Sequence, residues 1–287
     1  MLNDVIYRQR LINQSDRGFQ RYFAHLQKGV GMSIYNHDDA LSNLCAFGKN
    51  PYPGRFIIIG LAEDGKNVIQ IYGITGRSVG SRNRVLREGS DGRLFTRVAD
   101  PNKMDKKSNP DLIIYDAMMD VGKRFIVSNG QQTNVVARGV GDLELDLRGQ
   151  QYEPDAPNYT PRITAVCTLP HDDKGLIFEL SILRKSPWCA ACNRFTYTFT
   201  NIEPGFGFGI MTYSGNGNPL PIFDKDPILF PLEDSPEEIG KKYWGILNPD
   251  NRVALAVKAI DTITAKSFGV MYNKNFDVSS IGKIKCE

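Results

Sequence analysis

From Tyr52 onward, apolar residues recur in runs of strand length, separated by clusters of Gly, Asp, Asn and Pro. The first run, R-F-I-I-I-G-L (Arg55–Leu61), is apolar without alternation, which predicts a strand covered on both faces. N-V-I-Q-I-Y-G-I-T (Asn67–Thr75) follows after a turn at Asp64-Gly65, so the two predict a hairpin. Further strands are predicted at 111–117, 124–128, 162–169, 176–183, 195–200, 208–213, 252–260 and 267–273. Helical spacing is rarer. Residues 15–28 place Phe19, Tyr22, Phe23 and Leu26 on one stripe, and 38–47 and 131–138 read as further short helices. S-P-E-E at Ser235 is a capping box with proline at the first helical position, leading into Ile239, Tyr243 and Trp244. Many hairpin-linked strands and few helices predict an α/β chain of two mainly antiparallel sheets packed together, with helices outside. Residues 1–50 are expected to form a helical N-terminal extension and residues 51–287 one domain.

Composition narrows the function classes. Hydrophobic residues make up 41% of the 287 and charged residues 23%, as in ordinary globular chains. The 35 basic and 32 acidic residues leave a formal charge of +3, too balanced for a general nucleic-acid or membrane-surface binder. No apolar run approaches the ~18 residues of a membrane span. The start, M-L-N-D-V-I-Y-R-Q-R, lacks an apolar export segment, so a cytoplasmic location is expected. Five cysteines, an odd number, argue for free thiols. Cys189-Ala-Ala-Cys192 reads as a reduced structural pair, because a closed zinc site would need two more ligands at similar spacing.

The usual catalytic signatures are missing. There is no phosphate-binding G-x-x-x-x-G-K-[ST] and no G-x-S-x-G, and Gly205-Phe-Gly-Phe-Gly209 runs into M-T-Y-S rather than a helix. Only His25, His37 and His171 are available as imidazole bases, which argues against a histidine-based triad. What remains is arginine, lysine, tyrosine and amide chemistry. The second strand enters G-R-S-V-G-S-R-N-R, which gathers Arg77, Ser78, Arg82 and Asn83 in a glycine-punctuated loop. Arginine forks match phosphate oxygens in pairs, so this loop suits a phosphorylated small molecule; equally, these arginines could form a solvated charged face. Three other segments stand out: P-D-L-I-I-Y-D-A (110–117) around Tyr115, the proline-stiffened E-P-D-A-P-N-Y-T-P-R-I (153–163) entering a strand at Arg162, and T-Y-S-G-N-G-N-P-L-P (212–221) with Tyr213 and Asn216. Each has a plain reading too, as a packing tyrosine or a rigid turn.

Taken in order, Y-P-G-R-F (52–56), G-R-S-V-G-S-R-N-R (76–84), D-L-I-I-Y-D-A (111–117), N-Y-T-P-R-I (158–163), G-F-G-F-G…T-Y-S-G-N-G-N-P-L-P-I-F (205–223) and N-R-V-A-L-A-V-K (251–258) resemble the archaeal-type IMP cyclohydrolase family. The resemblance covers about residues 50 to 275. It implies a four-layer αββα sandwich similar to that of N-terminal nucleophile hydrolases. It also implies closure of 5-formamidoimidazole-4-carboxamide ribotide to inosine monophosphate with loss of water, without metal or organic cofactor. On that basis Arg77, Tyr115, Asn158 and Lys258 are expected to be catalytic. Arg55, Ser78, Arg82, Asn83, Arg162, Tyr213 and Asn216 are expected to bind substrate. The expected partners are a purine ribotide and further copies of the chain, with no nucleic acid and no membrane. An amide hydrolase of the same fold and a non-catalytic nucleotide binder are the competing readings.

Overall fold

A computed structural model describes residues 34–103, 112–170, 175–200 and 202–274, and the backbone of Gly282–Lys285. The helix expected at 15–28 lies outside the described residues. Residues His37 to Glu287 form one compact unit. It holds two seven-stranded sheets in which every neighbouring pair is antiparallel.

The first sheet contains β1 (Arg55–Leu61), β2 (Asn67–Thr75), β10 (Phe206–Met211), β11 (Ile228–Pro231), β12 (Arg252–Asp261), β13 (Ser267–Asn273) and β14 (Gly282–Lys285), in the order β11-β10-β1-β2-β12-β13-β14. The second runs in sequence order from β3 (Arg84–Glu88) through β4 (Leu94–Val98), β5 (Asp116–Val121), β6 (Arg124–Ser128), β7 (Arg162–Thr168) and β8 (Ile177–Lys185) to β9 (Cys192–Phe199). The all-buried β1 is explained by cover on both sides. Its Phe56 turns outward onto Phe47 of helix α1 (His37–Lys49), with ring centroids 4.9 Å apart. Arg55, next to Phe56, turns the other way, as strand alternation requires.

Bonds between the sheets show that they face one another. Gln70 Nε2 on β2 donates to Phe125 O on β6 at 2.9 Å, and Leu86 N on β3 donates to Asn273 Oδ1 on β13 at 2.8 Å. Phe199 on β9 stacks on Phe208 of β10 at 4.1 Å. Helix α5 (Pro236–Ile246) lies on the outer side of the first sheet, where Gly240 sits close against Val270 and Tyr272. Ser235 Oγ accepts from Glu238 N at 3.3 Å, the cap expected from S-P-E-E. Helices α3 (Gln132–Ala137) and α4 (Leu143–Asp146) cover the second sheet, burying Val136, Leu143 and Leu147 on Ile126, Val166 and Leu183. The remaining described α-helix, α2 (Val79–Arg82), is a single turn after β2.

Two departures from the sequence reading matter. Residues 84–98, where no strand was expected, form the hairpin β3–β4; Val85, Leu86, Leu94 and Thr96 are buried while Arg87 and Arg97 point to solvent. The strand expected at 111–117 begins only at Asp116, so Tyr115 stands just before β5. Helix α1, from the segment expected to pack on the main body, lies against the first sheet: Asn43 Nδ2 donates to Leu229 O at 3.1 Å. Strands β11 and β14 had no clear sequence signal.

Candidate active site

One end of the space between the sheets is built around Arg55. Its NH2 donates to Glu153 Oε1 at 2.5 Å, and Glu153 is only 2% exposed. Glu153 belongs to the proline-stiffened segment before β7, which folds back on itself. Glu153 N donates to Thr160 O at 2.8 Å, and Thr160 N donates to Asp155 Oδ1 at 2.6 Å. The Thr160 hydroxyl bonds both Asp155 and the Tyr213 hydroxyl, and Tyr213 stacks on Tyr52 at 5.7 Å. Gly54 permits this packing: it has φ +73°, and a Cβ there would lie 2.5 Å from Tyr213 Cδ2.

Tyr115 enters the same space from the second sheet. Its N–H donates to Thr96 Oγ1 at 3.1 Å and its carbonyl accepts from Thr96 N at 2.9 Å, which fixes the backbone. Its hydroxyl lies 2.7 Å from that of Tyr72 on β2, so the phenols meet across the sheets. Arg162, the first residue of β7, donates from NH1 to Gln132 Oε1 at 2.8 Å. That guanidinium lies against Gly130, where a Cβ would fall 2.3 Å from NH1; only glycine leaves room for it.

The electrostatics are uneven. Burial pushes the Glu153 carboxyl above the usual range; Arg55 pulls it back, Asp155 adds to the rise and Arg162 opposes it. Burial lowers the Arg162 guanidinium, with Glu153 opposing and the like charge of Arg55 adding to the fall. For Arg55 burial again works against the charge, yet Glu153, then Tyr115, Tyr213 and Tyr72, hold it well above its ordinary value. The two partners of the ion pair thus point in opposite directions. The carboxyl is the decisive one, because arginine stays charged in either case. Burial also raises the Tyr72 and Tyr213 phenols. One donor of this cluster is left over: among the described residues Arg55 Nε is buried with no hydrogen-bond partner, as are Arg124 Nε and Arg252 Nε elsewhere. A buried unpaired donor is costly, and a bound acceptor would satisfy it.

An outer ring surrounds this core. Arg77 NH1 donates to Asn216 Oδ1 at 2.8 Å and Gly217 O at 2.6 Å, and the guanidinium lies over the Tyr52 ring at 5.7 Å. Asn158 Oδ1 accepts from Leu220 N at 3.2 Å. The loops carrying Arg77, Asn158 and Asn216 therefore meet at the Arg55 end. Other residues of the arginine loop hold the loop itself. Ser78 caps α2 through Ser81 N at 3.1 Å. Arg82 Nε donates to Gly76 O at 3.0 Å and NH2 to Asn251 Oδ1 at 2.9 Å. Asn83 is buried and exchanges hydrogen bonds with the Asp100 backbone, both at 2.8 Å. Lys258 lies apart: it is 1% exposed and bonds both oxygens of Asp120 at 2.5 Å, beside Gln70 in the strand register.

Gln132 and Tyr72 escaped the sequence reading, and Glu153 and Thr160 lay in a segment it singled out without being given a role. Glu153 is 98 residues from its partner Arg55, so no local spacing links them; its only signal was an acid inside a proline-stiffened segment. Among the described residues no cluster of three or more His, Cys, Asp or Glu could hold a metal ion. A separate concavity of about 510 Å³, bordered by Glu63, Asp64, Glu233, Asp234 and Glu237, has the wrong sign of charge for a phosphate.

Every residue of the Arg55 cluster falls inside one sequence match. The profile of IMP cyclohydrolase-like proteins fits residues 52–264. The chain belongs to the IMP cyclohydrolase-like family. Among curated proteins it is similar to the IMP cyclohydrolase of Methanococcus aeolicus, with 33% identity over 124 residues, 40% of this chain and 57% of that protein. The IMP cyclohydrolase of Methanocaldococcus jannaschii is 33% identical over 120 residues, 40% of this chain and 56% of the relative. That of Methanococcus maripaludis strain C7 is 31% identical over 135 residues, 45% and 64%. The chain thus spans less than two thirds of the length of these relatives. No described helix is long and apolar enough to cross a membrane.

Proposed function

We propose that this protein is an IMP cyclohydrolase, which closes 5-formamidoimidazole-4-carboxamide ribotide to inosine monophosphate and releases water. The observation that carries the reading is the convergence of Arg55, Glu153, Arg162 and the Tyr72–Tyr115 phenol pair in a member of this family. In the reaction the carboxamide nitrogen attacks the formyl carbon of the same molecule, the formyl oxygen gains negative charge, and protons must move before water departs. A site for this needs cations and donors at the oxygen, a proton carrier, and a hold on both arms of the substrate. Arg55 Nε and the Tyr115 hydroxyl supply the donors. Glu153, whose carboxyl is raised by burial, exchanges a proton between the attacking nitrogen and the departing oxygen. Arg162 and Asn158 orient the carboxamide, and Arg77, with Arg82 behind it, meets the phosphate. Lys258 contributes to the framework, not to the reacting atoms. The likeness to N-terminal nucleophile hydrolases is then one of sandwich architecture, with no self-processed nucleophile in the chemistry.

The test is a spectrophotometric assay of the purified chain with the formamido ribotide in chelator-treated buffer. Turnover should persist there, and Tyr115→Phe should lower kcat more than it raises KM, by about 10²–10⁴-fold for a hydroxyl acting in proton transfer. Inosine monophosphate binding without turnover would instead make the protein a nucleotide-binding relative.

A further inference from the structure

The hairpin joining β8 and β9 ends in a tip that the proposed chemistry leaves unused, S-P-W-C-A-A-C (186–192). Ser186 N donates to Ala191 O at 2.8 Å, closing the loop that carries Cys189 next to Cys192 at the start of β9. Cys189 and Cys192 are both free thiols; Cys189 is exposed and Cys192 half-buried at the start of β9. The pair is reduced, as the sequence reading expected, but Cys189 is open to solvent. Metal binding is not served within the chain, because no third ligand stands with them among the described residues.

The tip has features of a reactive dithiol. Ala191 N donates to Cys189 Sγ at 3.5 Å. That contact, then the Ser186 hydroxyl and the charge of Lys185, lowers the Cys189 thiol below its ordinary value, which favours the nucleophilic thiolate. Trp188, the preceding residue, is 91% exposed. The tip is also bonded to the loop that carries Glu153. The Tyr152 hydroxyl donates to Ala190 O, between the two cysteines, at 2.7 Å, and the Tyr152 ring meets Tyr159 edge-on at 5.7 Å. Lys185, paired with Cys192 across the hairpin, lies 5.2 Å from the Tyr159 ring centre.

We propose that Cys189 and Cys192 form a thiol–disulfide exchange site whose state is transmitted through Tyr152 to the loop bearing Glu153 and Asn158. The oxidant is a disulfide, RSSR. The Cys189 thiolate attacks one of its sulfurs, forming a mixed disulfide and expelling one thiolate. Cys192, as thiolate, then attacks Cys189 Sγ, closing the protein disulfide and expelling the second. Two electrons pass to RSSR, and the two thiol protons end on two RSH. Closing the ring must redirect the peptide at Ala190, whose carbonyl is the acceptor for Tyr152.

The test uses the full chain and oxidised glutathione as the probe, with peptide mapping by mass spectrometry and amide hydrogen exchange. The expected product is a Cys189–Cys192 disulfide, reversed by a dithiol reductant. Cys192→Ser should stop at a mixed disulfide on Cys189. Oxidation should speed exchange at the amides of Glu153 and Thr160 by about 2- to 10-fold, the loss of one hydrogen bond. Tyr152→Phe should show the faster exchange already when reduced, with no further change on oxidation. A stable glutathione adduct on the wild-type tip, tight zinc binding by the reduced pair, or identical exchange in both redox states would overturn the proposal. None of these readouts depends on the cyclohydrolase reading.

Discussion

Two buried ion pairs span the sheets, and they differ in what they leave open. At one end Lys258 bonds both oxygens of Asp120. At the other, Arg55 shares one bond with Glu153 and keeps an unpartnered Nε. Asp120 is 31% exposed, so water reaches the carboxylate of the first pair; Glu153 is shut away, with Arg162 and three phenols within electrostatic range of the pair. A pair that only joins two layers gains by being saturated. A pair with a spare donor, a burdened carboxyl and crowded like charges costs stability and is better explained by a ligand that completes it. The strained end is also where three loops meet, the usual location for binding groups on a rigid scaffold.

The largest effect should come from exchanging the carboxylates for amides. Glu153→Gln should lower kcat by about 10²–10⁴-fold if Glu153 carries the proton. Asp120→Asn should act on stability instead. It strands the buried Lys258 charge and should cost ~3 kcal/mol, the lower end for a broken buried pair since Asp120 is partly exposed, with kcat retained. Paired kinetic and denaturant measurements decide it. If Asp120→Asn removes activity from a folded protein, the two ends are coupled and the contrast fails.

A smaller effect should separate the arginines. Arg77 lies at the rim among loops from both sheets, whereas Arg93 is on the outer side of its hairpin with Asp91 and Asp116. Arg77→Ala should weaken inosine monophosphate binding by about 10- to 150-fold, the worth of a hydrogen bond to a charged group, and Arg77→Lys should recover only part. Arg93→Ala should leave affinity unchanged by calorimetry at fixed ionic strength. Equal small losses at both positions would mean a diffuse basic surface.

Much of this was legible in the sequence because it is local. The buried run of β1, the Ser235 cap and the turn at Asp64-Gly65 each announce themselves within a few residues, and the motif order pointed to Arg55, Tyr115, Arg162 and Tyr213. What was missed depends on partners far along the chain. Nothing near Glu153 signals that Arg55 will reach it. Alternation shows that Lys258 faces inward, but not that it stands two rows of side chains from Arg55. The β3–β4 hairpin was hidden by its charges, since five of its residues are Arg or Glu and the inward Val85, Leu86, Leu94 and Thr96 are few.

The smallest predicted effect is one of pH on stability, and it isolates the burden on Glu153. Its folded pKa is raised, first by burial, so the folded protein holds this proton more tightly than the unfolded chain does. The contribution to stability is therefore fully present below the unfolded glutamate value, about 4.3. It is lost as pH rises through the higher folded value. Asp64, whose carboxylate is lowered by the N–H groups of Lys66 and Asn67 and the Asn67 side chain despite slight burial, follows the opposite rule and gains as pH rises. Glu153→Gln keeps the shape of the acid without its titration. Relative to this variant, the wild type should be as stable in acid and progressively less stable as pH climbs through the weakly acidic range, measured by urea denaturation at matched ionic strength. A wild type that gains on the variant over that range would mean that Arg55 and Arg162 outweigh burial. Glu153 would then be a saturated partner like Asp120, and the contrast between the two ends of the sandwich would disappear.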